Sequence, residues 1–213
     1  MKLAKAYEPN HYEPDIYAMW EKSGVFDPKG EGEPYSIVMP PPNANGNLHM
    51  GHVLIVNYQD MLVRYNRMQG KDAVYLPGAD HAGFETWVVY ERVLNEKGQS
   101  RFDFSREELY SQVWDFVHKQ RSNMELQLRA LGAGASWKNL TFTLDEKVIK
   151  TVYETFKKLW DDGLIYRGER IVNYSTKYQT SYSDIEVNYK QEKGTLWQIA
   201  YPLIDQVGEI VVA

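Results

Sequence analysis

Residues 35–52 read YSIVMPPPNANGNLHMGH and join a short apolar run to a polar loop that carries two histidines. The run at 35–39 is short and rich in β-forming residues, which is typical of a buried strand. The three prolines at 40–42 end that strand, because proline has no N–H for a sheet hydrogen bond. This stretch therefore predicts a strand, then a loop, then the start of a helix.

A second strand is expected after that helix. Between residues 51 and 69, apolar side chains recur at spacings of three and four, which predicts a helix. The apolar run at 73–76 predicts the second strand, and another helix should follow at about 84–96. A strand, a crossover helix and a second strand form the βαβ unit of a parallel sheet, so the sequence predicts an α/β fold.

Three further helices are predicted outside this unit. Pro14 is suited to open a short helix that Gly24 ends. Two long amphipathic helices begin at sequences typical of a capping box, a Ser or Thr followed three residues later by Glu. These pairs are Ser105 with Glu108 and Thr143 with Glu146.

The last part of the chain reads as short strands. Residues 164–173 form one apolar strand pattern, and 184–189, 195–201 and 209–212 form three more. We place a boundary near Tyr174, which divides the chain into a helix-rich part, 1–174, and a short β-rich part, 175–213.

The composition is that of a globular protein and excludes several classes. Of 213 residues, 43% are hydrophobic and 25% are charged, and the net charge of −5 excludes a generally basic nucleic-acid coat. Cysteine is absent, which excludes disulfides, thiol nucleophiles and cysteine-ligated zinc. No apolar run approaches the roughly 20 residues of a membrane span, so we expect no membrane partner. The absence of cysteine fits a reducing cytosol, so we expect a cytoplasmic location.

The two histidines lie where an α/β sheet usually binds its ligand. The crevice beyond the carboxyl end of a strand collects free N–H groups and the positive end of the helix dipole, which favour phosphate. Gly46 and Gly51 allow the backbone to approach a ligand. His49 and His52 are three residues apart, so both imidazoles could donate to phosphate oxygens on one side of the helix. A lone histidine at a helix start is usually a cap or a surface residue, but the pair in this setting favours function.

A second polar cluster follows the second strand, at residues 77–83. Asp80 and His81 stand there between glycines. Neighbouring parallel strands end at the same crevice, so Asp80 could bind a cation such as a substrate ammonium. It could equally be the N-cap of the next helix, and the spacing alone does not separate these interpretations.

These motifs resemble those of the class I aminoacyl-tRNA synthetases. HMGH at 49–52 resembles their first signature, which contacts ATP. PPPNANGNLHMGH at 40–52, QDMLVRYNRMQGKD at 59–72 and LPGADHAGFET at 76–86 resemble the valine-specific members most closely. Isoleucine and leucine enzymes are close competitors. The isoleucine type usually carries a Trp-Asp pair and a Cys where this chain has GADHAG, which favours valine.

The resemblance implies a reaction and a set of site residues. Valine and ATP, with Mg²⁺, would form valyl-adenylate, and the valyl group would pass to tRNA(Val). The fold would be the first half of a Rossmann-like nucleotide-binding fold at 1–174, followed at 175–213 by the start of an inserted editing module. The implied ATP-binding residues are Asn45, Gly46, His49, Gly51 and His52, with His49 and His52 catalytic. The implied amino-acid-binding residues are Pro41, Pro42, Asn43 and Asp80.

The chain departs from the family in two places. The second ATP signature, Lys-Met-Ser-Lys-Ser, has no match, which suggests a truncated chain with exposed apolar surface that favours self-association. Where many members carry a Cys-x-x-Cys zinc knuckle, residues 175–178 read STKY, so no zinc is expected. Two alternatives follow: a non-catalytic module that binds ATP, aminoacyl-adenylate or tRNA, and a small nucleotidyltransferase. The long helices argue against the second.

Overall fold

In a computed structural model, which describes residues 6–213, the chain forms five α-helices and eight short strands. These fall into two compact units, Met1–Asp162 and Gly163–Ala213. The helices are α1 (Pro9–Ser23), α2 (Met50–Met68), α3 (Gly83–Glu96), α4 (Arg106–Ala130) and α5 (Glu146–Asp161). The strands are β1 (Pro34–Val38), β2 (Asp72–Leu76), β3 (Gly78–Ala79), β4 (Thr141–Phe142), β5 (Asn173–Ser175), β6 (Thr180–Tyr182), β7 (Ile199–Pro202) and β8 (Glu209–Val212).

The first unit is built on a parallel βαβ arrangement, as predicted. β1 and β2 pair in parallel, with Pro34 opposite Asp72 and Val38 opposite Leu76, and α2 packs on both strands. β3 follows β2 almost directly and pairs in parallel with β4. The predicted α/β fold, with long helices around a parallel nucleotide-fold half, is confirmed.

The core lies between the strands, α2 and α4. Its largest fully buried side chains are those of Tyr75, Phe142, Met39, Met124, Leu128 and Val63. The hydroxyl of Tyr17 ties α1 to this core, because it donates to the Ala133 carbonyl at 2.7 Å and accepts from Trp137 Nε1 at 2.7 Å. Burial raises the pKa of Tyr17 to about 12, so its hydroxyl stays protonated and able to donate.

A buried carboxylate joins α2 to the loop after α4. Asp60 accepts from the Gly134 N–H at 2.8 Å and from Arg64 Nε at 2.6 Å. Arg64 also donates to the Gly132 carbonyl at 2.6 Å. A Cβ on Gly134 would lie 2.9 Å from the Asp60 carboxylate, so only glycine lets the loop approach this closely.

The predicted helix starts agree with the structure at some positions and not at others. Ser105 and Glu108 form the predicted capping box of α4. The predicted box of Thr143 and Glu146 is wrong, because Asp145 is the N-cap of α5 and makes no side-chain cap bond. α1 begins at Pro9, upstream of the predicted start at Pro14, since proline at the first helical position needs no hydrogen-bond acceptor.

The second unit consists of two antiparallel hairpins, β5–β6 and β7–β8. The predicted short β-rich segment and the strand at 209–212 are confirmed. The strand predicted at 164–173 is wrong except for its last residue, and the strand predicted at 184–189 is instead a 3₁₀ turn at Asp184–Glu186 followed by irregular chain. Only Ile199 to Tyr201 of the run at 195–201 is strand. The assignment of 175–213 to an editing module stays a prediction.

No helix within residues 6–213 is both long enough and apolar enough to cross a bilayer.

Candidate active site

Two histidines form the N-terminal cap of α2. His49 is the N-cap residue, and its Nδ1 accepts from the Gly51 N–H at 3.1 Å. In return, the His49 N–H donates to Nδ1 of His52 at 3.2 Å. Because both Nδ1 atoms accept hydrogen bonds, each neutral ring carries its proton on Nε2.

The cap leaves two ring N–H donors beside the positive end of a helix. The ring centroids of His49 and His52 are 4.0 Å apart. Partial burial, and then the neighbouring His49, lowers the pKa of His52 below its usual value. Two Nε2–H groups, placed at the positive end of the dipole of a 19-residue helix, form a donor set suited to phosphate oxygens.

Gly51 is required by the His49 ring. A Cβ at this position would lie 2.9 Å from Cε1 and 3.1 Å from Nδ1 of His49. A side chain here would therefore push the ring out of its cap position. Gly46 differs, because a Cβ there would meet open space, and both it and Asn45 are half-buried in the loop.

The loops that follow β1 and β2 are joined by backbone hydrogen bonds. The Ala44 N–H donates to the Asp80 carbonyl at 2.7 Å, and the Asp80 N–H donates to the Pro42 carbonyl at 2.8 Å. Asn43 and Asp80 form the resulting parallel bridge. Pro42 is buried, while Pro41 and Asn43 are exposed. The structure thus brings together the residues that the sequence predicted for one amino-acid site.

The carboxylate of Asp80 is oriented by a threonine. The Thr143 hydroxyl donates to Asp80 Oδ1 at 3.0 Å and accepts from the His81 N–H at 3.0 Å. His81 Nδ1 also lies 2.7 Å from this hydroxyl and 3.5 Å from Asp80 Oδ1. The N-cap of α3 is Ala82, without a side-chain cap bond, so Asp80 is not the helix cap.

Sequence reasoning missed Thr143 as part of this cluster. The residue was assigned to a capping box, because Thr and Glu stand three residues apart. Its position directly after β4 was the available signal, since β4 pairs in parallel with β3 and therefore ends beside Asp80. A third strand end at the same edge would have pointed to the site.

Within residues 6–213, no three His, Asp or Glu side chains lie together in a group that could hold a metal ion. The expectations that zinc is absent and that Mg²⁺ enters with ATP stay predictions.

Comparison with known proteins gives a family and a set of relatives. A family model described as "tRNA synthetases class I (I, L, M and V)" matches residues 15–206. The valine--tRNA ligases of Rhizorhabdus wittichii and Bdellovibrio bacteriovorus are each 44% identical over 214 residues, which cover all of this chain and 24% of theirs. That of Xanthomonas axonopodis pv. citri is 44% identical over 96% of this chain and 22% of its own.

A solved structure shares the fold. It is the crystal structure of the ternary complex of Agrobacterium radiobacter K84 agnB2 LeuRS, tRNA and LeuAMS, with a TM-score of 0.67 and 22% identity over 83% of this chain and 21% of that one. The chain spans about a quarter of the length of the curated relatives it matches. Because the family match covers nearly the whole chain and both site loops, the protein belongs to the class I tRNA synthetases of the I, L, M and V group.

Proposed function

We propose that this chain is the part of a valine--tRNA ligase that binds ATP and valine for adenylate formation. A carboxylate oxygen of valine would attack the α-phosphorus of ATP, and the bond to the bridging oxygen would break to release pyrophosphate. The valyl group would then pass from the adenylate to tRNA(Val), and AMP would be released. The observation that carries the proposal is the paired histidine cap at the end of the loop whose Asn43 bridges to Asp80.

The histidine cap supports the ATP half of the site. The Nε2–H groups of His49 and His52 would donate to phosphate oxygens, where negative charge grows as pyrophosphate leaves. Fixed donors of this kind stabilise a transition state more than a ground state. Asn45 and Gly46 belong to the same loop, and Gly51 keeps the His49 ring in place. Mg²⁺ would enter bound to ATP.

Asp80 supports the amino-acid half. Its Oδ1 contacts Thr143 and His81, so Oδ2 is the oxygen available to the valine ammonium. A carboxylate–ammonium pair is a charge-assisted hydrogen bond, which fixes orientation as well as adding affinity. Pro41, Pro42 and Asn43, joined to Asp80 through the paired loops, would line the same pocket.

The preference for valine rests on similarity to valine--tRNA ligases at 44% identity and on the GADHAG sequence at 78–83. A cytoplasmic location is inferred with the proposed reaction.

Binding by the 213-residue chain tests this function. We expect ATP to shift the NMR signals of the His49 and His52 rings. We also expect the sulfamoyl analogue of valyl-adenylate to bind more tightly than the isoleucyl and leucyl analogues. His49→Ala and His52→Ala should weaken ATP binding, and Asp80→Asn should weaken the analogue more than ATP. Tighter binding of the isoleucyl or leucyl analogue would contradict the valine assignment, and no response to ATP would contradict the whole proposal.

The alternative to this function is a module of the same family that binds these ligands without catalysis. Valine-dependent exchange of pyrophosphate into ATP separates the two when it is measured on a full-length valine--tRNA ligase in which this chain replaces the matching segment, because only a catalytic segment supports exchange there.

A further inference from the structure

Helix α4 reaches the loop in front of His49 with two amide side chains. Gln127 Oε1 accepts from the Leu48 N–H at 2.9 Å, and Gln127 Nε2 donates to Asn47 Oδ1 at 3.1 Å. Asn123 Nδ2 donates to the same Asn47 oxygen at 2.7 Å. We call Asn47, Asn123 and Gln127 the amide clamp.

The direction of each amide in the clamp is fixed by chemistry. A backbone N–H can only donate, so the end of Gln127 that faces Leu48 must be its oxygen. The Gln127 nitrogen then faces Asn47, whose oxygen must accept from it. That oxygen has two lone pairs and can accept from Asn123 as well. One arrangement of the amides thus makes all three hydrogen bonds at once.

The clamp connects a fixed element to a loop with little regular structure. On α4, Met124 and Leu128 are fully buried on either side of Gln127 in sequence, so the helix backbone cannot shift easily. Residues 43–47 read NANGN, and residues 44–46 form only a turn. The residue after Leu48 is His49, whose extended backbone (φ −123°, ψ 173°) begins the histidine cap.

We propose that Gln127 and Asn123 are positioning residues that hold the histidine cap through Asn47 and Leu48. The bond from the Leu48 N–H to Gln127 fixes the peptide plane between Asn47 and Leu48, one peptide before the one that leads into His49. With Asn47 also held, the chain enters His49 from a fixed direction, and that direction sets how the His49 ring reaches the Gly51 N–H. The clamp therefore fixes where both Nε2–H groups point.

The consequence for ATP rests on the proposed function. Groups that stabilise a transition state must be held within about 0.5 Å of their productive positions. Without the clamp, the cap forms in only a fraction of molecules, and apparent ATP affinity falls by that fraction. The positioning itself can be tested without ATP.

The first test is ¹⁵N NMR of the histidine rings in the 213-residue chain. In the wild type, we expect His49 and His52 to show the Nε2–H tautomer alone. Gln127→Met removes the two clamp bonds that Gln127 makes at nearly constant volume, and both rings should then show averaged tautomers. The matched control is Gln112→Met on the same helix, where Gln112 Oε1 accepts from the Tyr90 hydroxyl at 2.9 Å. It should lower thermal stability by a similar amount and leave both ring signals unchanged.

A second pair of variants, at Asn47, tests whether the averaged tautomers could come from a disturbed fold instead of from the lost clamp. Asn47 is exposed, so its replacement should not disturb the core. Asn47→Asp keeps an oxygen for both amide donors and should preserve the wild-type tautomers, whereas Asn47→Leu should average them as Gln127→Met does. Wild-type tautomers in both Gln127→Met and Asn47→Leu, or equal averaging in Gln112→Met, would overturn the proposal.

ATP itself is the probe in the final test. We expect Gln127→Met to weaken ATP binding about tenfold and Gln112→Met to leave it unchanged. If the wild-type chain does not bind ATP, the proposed function is wrong. The tautomer comparison still decides whether the clamp positions the rings. If ATP binds all variants equally while the tautomers average, the clamp does not act on the phosphate site.

Discussion

At the start of α2, the backbone occupies one nitrogen of each histidine ring. Gly51 donates to His49, and His49 donates to His52, so one Nε2–H per ring remains for a ligand. The histidine pair was predicted from its place between strand and helix, but its role as a capping box was not. Which ring nitrogen accepts a hydrogen bond, and from which N–H, becomes evident only once the backbone geometry is known.

The first prediction concerns the pH dependence of His52. Its pKa in the folded chain lies below the usual 6.5, so folding favours the neutral ring. Its contribution to stability is therefore complete above pH 6.5 and is lost as the pH falls through the lowered value. An NMR titration should place the His52 midpoint below 6.5, and His49→Ala should raise it because a neighbouring charge is removed. A midpoint at or above 6.5 in the wild type would contradict this.

The second prediction separates binding from stability at Gly51. Gly51→Ala should displace the His49 ring and weaken ATP binding about tenfold. The lost cap bond costs about 1 kcal/mol, and alanine's better helix propensity offsets much of it, so the melting temperature should change little. Gly46→Ala is the control, because a Cβ at that position meets open space. Titration calorimetry should show a smaller loss of ATP affinity for Gly46→Ala than for Gly51→Ala. Equal losses would mean that the ring position is unimportant.

At the scale of elements, three strand ends meet at the candidate site. The loops after β1 and β2 pair through Asn43 and Asp80, and the residue after β4 orients the Asp80 carboxylate. The first two were predicted, because the apolar runs and proline stops all indicate the same strand–loop–helix order. The third was not, since Thr143 lies 63 residues away from Asp80 and its spacing to Glu146 fits a capping box.

The third prediction tests that orientation. Thr143→Val removes the hydroxyl that holds Asp80 Oδ1, and Thr143→Ser keeps it. The valine variant should bind the valyl-adenylate analogue about tenfold more weakly with little change for ATP, and the serine variant should match the wild type. Titration calorimetry with each ligand measures the two changes in affinity separately. Parallel losses for ATP and the analogue would point to a general structural role instead.

Features that depend on a pairing partner elsewhere in the chain could not be predicted from local sequence patterns. The run at 164–172 has strand-like composition, yet within residues 6–213 no strand lies alongside it. A strand persists only when its backbone groups are paired, and a periodic pattern does not reveal whether a partner exists. The amide clamp has the same character, because Asn47 and Gln127 are 80 residues apart and neither belongs to a familiar motif.

At the scale of the whole molecule, large apolar side chains lie exposed on two amphipathic helices. On α2 these are Leu54, Tyr58, Met61, Tyr65 and Met68, and on α5 they are Ile149, Val152, Tyr153, Phe156 and Trp160. Apolar patches of this kind normally meet another surface. Their exposure agrees with the expectation of self-association, which stays a prediction.

The fourth prediction concerns what the 213 residues can do alone. The candidate site offers the α2 start and two histidines to ATP, but the sequence has no Lys-Met-Ser-Lys-Ser segment whose lysines would neutralise the phosphates. Loss of such charges costs several kcal/mol in the transition state, a rate loss on the order of 10³-fold. We expect ground-state binding to be weakened less, because the ring donors and the helix end would still contact the phosphates.

The purified chain should therefore bind ATP and the valyl-adenylate analogue while supporting almost no valine-dependent pyrophosphate exchange and no charging of tRNA(Val). Exchange is measured with labelled pyrophosphate, beside a full-length valine--tRNA ligase as the positive control. His49→Ala, which should lose binding as well, sets the background of the assay. Exchange near the rate of the full-length enzyme would show that the histidine cap and the Asp80 loop suffice for adenylate formation.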